Sequence, residues 1–203
     1  SVIRGRRVVA TIDCCFGPLG VVYNPATQEI FVADYFNSRI AVVNSQNQIV
    51  EFIPLRSGSD PRDMVFNTFN QNVYVTDYFT SSVSAITPEH EMIATIELPG
   101  ALPWNITYND LNHNIYVTDS FHNAVYEIES TNNVLVDTIE NVGIDPRGIA
   151  YNPVNQSLYT ANYQDNTVTV IDGATNQIVK RIPVGSYPLD VAFNPKNGSM
   201  YVT

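Results

Sequence analysis

Apolar residues fall in short runs along the whole chain. Between Gly148 and Ile182 the runs are Gly148 to Tyr151, Leu158 to Ala161, Thr167 to Ile171 and Ile178 to Ile182. Polar breakers part them: Asn152-Pro153-Val154-Asn155-Gln156, then Asp165-Asn166, then Gly173-Ala174-Thr175-Asn176. Runs this short, rich in β-branched and aromatic residues and bounded by turn formers, predict β-strands rather than helices. They are called a, b, c and d here.

The same pattern repeats. An aromatic-Asn pair recurs at Tyr23-Asn24, Phe66-Asn67, Tyr108-Asn109, Tyr151-Asn152 and Phe193-Asn194, at spacings of 43, 42, 43 and 42 residues. A proline precedes each pair by five residues, at Pro18, Pro61, Pro103, Pro146 and Pro188. A strand b follows each pair: Ile30 to Asp34, Val73 to Asp77, Ile115 to Asp119, Leu158 to Asn162 and Met200 to Thr203. Four strands per period of about 40 residues predict a β-propeller of four-stranded antiparallel blades. The expected blades are 18–54, 61–98, 103–142 and 146–184. A fifth is split between 188–203, which supplies a and b, and 1–13, which supplies c and d. The expected whole is a ring of five closed by those ends, or an arc of a larger propeller.

Tyr74-Val75-Thr76-Asp77 and Tyr116-Val117-Thr118-Asp119, each preceded by an aromatic-Asn turn, resemble the YVTN β-propeller repeat. The resemblance covers essentially the whole chain, although Phe31-Val32-Ala33-Asp34 and Tyr159-Thr160-Ala161-Asn162 depart from the motif. It implies kinship with archaeal and bacterial surface-layer or secreted proteins, with lactonase-like and haem d1 propellers as more distant relatives. Fold alone does not fix function.

Composition narrows the partners. Twenty acidic against ten basic residues give a net charge of -10, which disfavours nucleic acid and anionic lipid surfaces. No apolar run suffices for membrane insertion, and Ser1 to Arg7 lacks a signal-peptide core, so a secreted form would have lost its signal. The 22 asparagines suit a turn-rich repeat. Cys14 and Cys15 are adjacent, and two thiols are the default expectation, with a vicinal or interchain disulfide as alternatives.

Propeller geometry places the d-to-a and b-to-c loops on one face. Aromatic residues gather there: Phe16, Tyr35, Phe36, Tyr78, Phe79, Trp104, Phe121, Tyr163 and Tyr187. Rings such as Phe36, Phe79 and Phe121 suit the wedges between blades, whereas Trp104 and Tyr187 sit in variable loops and are the expected ligand contacts. Arg62 and Arg147, in repeated Asp-Pro-Arg loops, could hold a carboxylate or sugar acid; the simpler reading pairs Arg62 with Asp60 or Asp63 and Arg147 with Asp145. His122 shares this face, while His90 and His113 read as solvated turn residues. Asp34, Asp77, Asp119 and Asn162 end strand b and read as turn-stabilising groups rather than a calcium ring. Glu29, Glu51, Glu91, Glu127 and Glu140 read as scattered outer positions. No nucleophile elbow, phosphate loop, metal motif or haem-attachment motif appears, so no catalytic residue, metal or cofactor is expected. Among three sequons, Asn155 and Asn197 lie in accessible turns and Asn105 on an inner strand.

These features point to a non-catalytic extracellular or cell-surface binding module with protein or glycan partners at the loop face, and with self-assembly as a further use. The alternative is a lactonase-like hydrolase at the channel mouth.

Overall fold

A computed structural model describes residues 1–203. After an N-terminal hairpin, β1 (Val2–Arg4) and β2 (Arg7–Ala10), come four antiparallel four-stranded sheets in chain order. The first holds β3 (Pro18–Asn24), β4 (Glu29–Asp34), β5 (Arg39–Val43) and β6 (Ile49–Pro54). The second holds β7 (Pro61–Phe66), β8 (Val73–Asp77), β9 (Ser82–Ile86) and β10 (Met92–Glu97). The third holds β11 (Pro103–Tyr108), β12 (Ile115–Asp119), β13 (Ala124–Glu129) and β14 (Val134–Ile139). The fourth holds β15 (Pro146–Asn152), β16 (Ser157–Asn162), β17 (Thr167–Asp172) and β18 (Ile178–Pro183). A last hairpin, β19 (Val191–Asn194) and β20 (Ser199–Val202), supplies strands a and b alone. This is the all-β propeller architecture that the repeat predicts. No helix is long and apolar enough to cross a membrane.

Each blade starts with the same turn. The Asn after the aromatic accepts a backbone hydrogen bond from the residue two positions on: Ala26 to Asn24 at 2.9 Å, Phe69 to Asn67 at 2.8 Å, Leu111 to Asn109 at 2.9 Å, Val154 to Asn152 at 2.9 Å and Lys196 to Asn194 at 3.0 Å. Such Asx turns satisfy backbone donors where the chain reverses from a to b, which is why Asn recurs there. The motif tyrosines have a matching cause. Asn70, Asn112, Asn155 and Asn197 each donate from Nδ2 to the hydroxyl of Tyr74, Tyr116, Tyr159 or Tyr201, at 2.7–3.0 Å.

The blades have no cores of their own; the core lies in the seams between them. Phe31, Ile40, Val42 and Ile53 of the first blade pack on Met64, Val73, Val75 and Ile86 of the second. The other face of the second blade, with Tyr74, Val83, Ala85 and Ile96, packs on Ile106, Ile115, Val117 and Ile128. The seam between the third and fourth blades joins Tyr116, Val125 and Ile139 to Ile149, Leu158 and Ile171. Alternate residues of one strand therefore serve opposite seams, and β8, β9 and β12 are buried throughout. Tyr74 also crosses a seam, donating to the Ser130 carbonyl at 3.1 Å and to Asn133 Oδ1 at 2.7 Å.

The two terminal hairpins remain separate sheets, with no hydrogen-bonded register between β1 and β20. The closure of a five-blade ring by such pairing is thus not formed. Leu19, Val21 and Tyr23 of the first blade are exposed, as are Tyr201 and Val202 at the other end. Between the N-terminal segment and the first blade lies a cavity of about 340 Å³, lined by Val2, Ile12, Val21, Ile30 and Val32.

Two sequence expectations fail in the seams, because residues that are solvated in a lone blade are covered by the next. His90 is no solvated turn residue: its Nε2 lies 2.8 Å from Glu29 and its Nδ1 2.8 Å from Glu51, both on the preceding blade. Glu29 and Glu51 are accordingly not isolated. His113 stacks on Phe69 at 4.3 Å and meets the Tyr108 hydroxyl at 2.8 Å. Glu127 is buried, accepting hydrogen bonds from Tyr116 at 2.8 Å, Asn114 at 2.6 Å and Asn176 at 2.6 Å. Cys14 and Cys15 are joined as a vicinal disulfide rather than standing as two thiols.

Burial opposes protonation of His90, but the Glu29 and Glu51 carboxylates outweigh it and raise its pKa. A raised folded-state pKa contributes stability that is full below the unfolded value of about 6.5 and is lost as pH rises through the folded one. His90→Ala should therefore cost roughly 1 kcal/mol at pH 6, where the glutamates remain ionised, and markedly less at pH 9. Thermal melts of both proteins across that range check this; a pH-independent difference would refute the clamp.

Candidate functional site

The inner strands β3, β7, β11 and β15 share an irregularity. Pairing with strand b shifts by one residue between Pro18 and Val21, Pro61 and Met64, Pro103 and Ile106, and Pro146 and Ile149. A β-bulge of this kind re-aims side chains. The residues at the bulges are Leu19-Gly20, Arg62-Asp63, Trp104-Asn105 and Arg147-Gly148, and Leu189-Asp190 occupies the same place after Pro188.

The threonine of the YVTD motif fastens the bulge. Thr76 Oγ1 accepts from the Asp63 amide at 3.0 Å and donates to its carbonyl at 3.3 Å; Thr118 Oγ1 accepts from the Asn105 amide at 3.1 Å and donates to the Arg147 carbonyl of the next blade at 2.6 Å. Where the motif carries alanine instead, at Ala33 and Ala161, the bulge residue is Gly20 or Gly148. Those glycines let neighbouring inner strands meet closely. A Cβ on Gly20 would stand 2.8 Å from Asp63 Cα, and one on Gly148 would stand 2.5 Å from Asp190 Cα. The two departures from the repeat motif are therefore coupled to packing at the axis.

In the second, third and fourth blades, the residues one step before Asp63, Asn105 and Gly148 build a ladder on the loop face. The Arg62 guanidinium carbon lies 3.5 Å from the Trp104 ring centroid and 4.6 Å from that of Tyr78. Arg147 lies 4.4 Å from Trp104 and 3.7 Å from Tyr163, whose ring meets Tyr187 at 5.2 Å. Cation–π contacts of this geometry hold both cations against one indole. Tyr187 sits at φ 56° with its amide donating to Asn166 Oδ1 at 2.8 Å, an unusual backbone conformation for a bulky residue.

The two arginines differ in their partners. Arg147 forms a fork with Asp145, Nη2 to Oδ2 at 2.9 Å and Nε to Oδ1 at 3.1 Å, as the simpler reading expects. Arg62 pairs with neither Asp60 nor Asp63, contrary to that reading. Asp63 instead accepts from Asn105 Nδ2 at 2.6 Å, and Arg62 Nη1 is buried without a hydrogen-bond partner. Burial lowers the Arg62 pKa, with the Arg147 charge acting in the same direction against Tyr78 and Tyr35. Burial pushes the Asp63 carboxyl up to about 6, assisted by the charge of Asp190. These groups open onto a cavity of about 440 Å³ lined by Leu19, Gly20, Arg62, Asp63, Trp104, Asn105, Leu189 and Asp190.

Four of the five expected ligand contacts, Trp104, Tyr187, Arg62 and Arg147, thus meet in one ladder, though Trp104 is half-buried rather than free. His122 is outside it. Its Nδ1 lies 2.6 Å from Asp119, and its ring lines a separate depression with Pro99, Tyr126 and Glu140. Phe36, Phe79 and Phe121 do not fill the wedges: they are 61%, 61% and 65% exposed, the seams being filled by strand residues, and Phe36 and Phe79 stand edge-on to Tyr35 and Tyr78. The cavity residues Asp63, Asn105 and Asp190 were missed as a set. Their signal was positional, two residues after each recurring proline.

The strand-b acids serve their own blades. Asp34 accepts from the Phe16 amide at 2.7 Å and Arg39 Nε at 2.7 Å. Asp119 accepts from the amides of Leu102 at 3.0 Å and Phe121 at 2.9 Å. Asn162 in the same slot donates to Thr167 at 3.0 Å and Thr169 at 2.9 Å. Asp77 has only hydroxyl partners, Ser84 at 2.6 Å and Ser82 at 3.4 Å, and its Oδ1 is unpartnered. Burial pushes its pKa up to about 7 despite those bonds.

No family model matches the chain, and no curated protein matches it. Solved structures do. A streptogramin B lyase superposes with a TM-score of 0.80 at 19% identity, over 92% of this chain and 61% of that one. A hydrazine synthase from Kuenenia stuttgartiensis gives 0.82 at 20% identity, over 100% and 59%. A nidogen/laminin complex gives 0.76 at 13% identity, over 92% and 71%. The chain spans about six tenths of the first two structures. At these identities the likeness establishes a β-propeller fold and nothing narrower.

A carboxyl whose folded pKa is raised stabilises most below its unfolded value and loses that contribution as pH rises through the folded one. For Asp77 the window is about pH 4 to 7. Asp77→Asn, which installs the group that Asn162 already provides, should match the native protein near pH 4 and gain roughly 1–4 kcal/mol above pH 8, from about 1.4 kcal/mol per pKa unit. Chemical denaturation at the two pH values decides; an equal difference at both would show that folding leaves the Asp77 carboxyl without a raised pKa.

Proposed function

We propose that this propeller is a non-catalytic recognition module of the cell surface or extracellular space, contacting a protein or glycan through its loop face. The observation that carries this reading is the set of outward rings Phe16, Phe36, Phe79, Phe121 and Tyr187, all exposed, around the Arg–Trp ladder. Exposed aromatics are costly to leave in water, and their concentration on one face marks an interaction surface. The acidic charge, the exposed sequon residues Asn155 and Asn197, and the Cys14–Cys15 disulfide suit an oxidising, extracellular setting. The Tyr-Val-Thr-Asp strands support a place in the YVTN repeat family.

Replacing Phe36, Phe79, Phe121 and Tyr187 together by serine should leave the circular dichroism spectrum unchanged, since these side chains lie outside the seams. The same variant should lose at least tenfold in affinity for ligands that the native protein captures on glycan and surface-protein arrays. Retained binding, or a native protein that captures nothing on either array, would overturn the reading.

A further inference from the structure

We propose that Arg62 is the anchor of a carboxylate-binding pocket and that the pocket takes an acidic sugar, a hexuronate. The inference rests on the recognition reading above and names a ligand class for the centre of the same face. Arg62 makes no ion pair or hydrogen bond, whereas its counterpart Arg147 is held by Asp145. Arg62 lines the cavity, and only its Nη1 is fully buried and unpartnered, so its other guanidinium nitrogens keep contact with solvent. Although Asp63 and Asp190 line the same cavity, neither pairs with Arg62, and a half-buried guanidinium with no ion-pair partner can take an anion on two of its N–H groups, which match a carboxylate edge.

The rest of the cavity selects what carries that carboxylate. Trp104, its indole held against the guanidiniums of Arg62 and Arg147, lines the cavity as an apolar wall that suits the C–H groups of a pyranose. Asp63 and Asp190 would repel a bare anion or a second carboxylate but accept hydrogen bonds from hydroxyl groups. Asn105 spends its Nδ2 on Asp63 and its Oδ1 on the Ile149 amide at 3.1 Å, which holds Asp63 in place as part of the wall. One cation, two carboxylates and an indole in about 440 Å³ fit a ring that bears one carboxylate and several hydroxyls. A neutral hexose would leave Arg62 unpaired, and an aromatic acid would bring no hydroxyl to the aspartates.

Trp104 is the only tryptophan of the chain, so its fluorescence reports on this pocket directly. D-Glucuronate and D-galacturonate, titrated singly into the intact chain, should give a saturable change in its emission with at least one of the two, while glucose and galactose bind at least tenfold more weakly. Benzoate should also bind at least tenfold more weakly than the better uronate. Arg62→Met should abolish the uronate response, and Arg62→Lys, which keeps the charge but loses the fork, should weaken it. Both variants are checked by circular dichroism, and Arg147→Met, which leaves Arg62 in place, should retain part of the response. No uronate response, equal binding of the neutral sugars or of benzoate, or full binding by folded Arg62→Met would each overturn the assignment. Serine at Phe36, Phe79 and Phe121 alone, with Tyr187 kept, should leave the uronate response intact, so failure of the face and failure of this pocket are separately visible.

Discussion

The structure depends on one constraint: a four-stranded blade is apolar on both faces and can bury neither by itself. Every seam is a bilateral contact in which the odd and even residues of one strand belong to different cores. The sequence consequence is a continuous apolar run in strands b and c, and the positional consequence is that each blade must tilt against the next around a common axis. Tyr74 and Tyr116 illustrate the arrangement. Each buries its ring in the seam and finds hydroxyl partners on its own turn and on the following blade.

Because the seams set the blade positions, the inner strands converge, and convergence needs room. Glycine at positions 20 and 148 provides it where these strands meet Asp63 and Asp190 of the next ones, while Asn105 bonds Asp63 across the junction between the second and third blades. The bulge after each proline turns these residues toward the axis, and Thr76 and Thr118 fasten the bulges whose residue is polar. The Arg–Trp ladder is thus a product of packing at the axis and of loop chemistry above it. Ser120 stands where Tyr35, Tyr78 and Tyr163 stand in other blades, and that third blade is the one that carries Trp104.

The unpaired state of Arg62 has a tertiary cause that its motif conceals. Asp60-Pro61-Arg62 and Asp145-Pro146-Arg147 read alike, and both aspartates adopt a left-handed backbone, at φ 51° and 55°. Asp145 is held by the Asn123 carboxamide, which accepts its amide at 2.9 Å, and its carboxylate then meets Arg147. At the corresponding place before Asp60 stands Ser38, whose shorter hydroxyl accepts from Gly58 instead. Arg62 is left to Tyr78 and Trp104. The residues that decide this lie about 20 positions away in sequence, on the preceding blade.

Sequence alone determined the period, the strand order within each blade and the face that carries the aromatic loops, because these follow from local turn chemistry and from a hydrophobic alternation repeated at constant spacing. It also placed four members of the ladder on one face, since equivalent positions of a repeat must share a side. What sequence could not determine is pairing across seams: that His90 lies between two glutamates, that Glu127 is buried, that Phe36, Phe79 and Phe121 point outward, and that the two terminal hairpins stay apart. Those outcomes depend on which side chains of separate blades come within hydrogen-bonding or van der Waals reach. That distance is fixed only when the seams close.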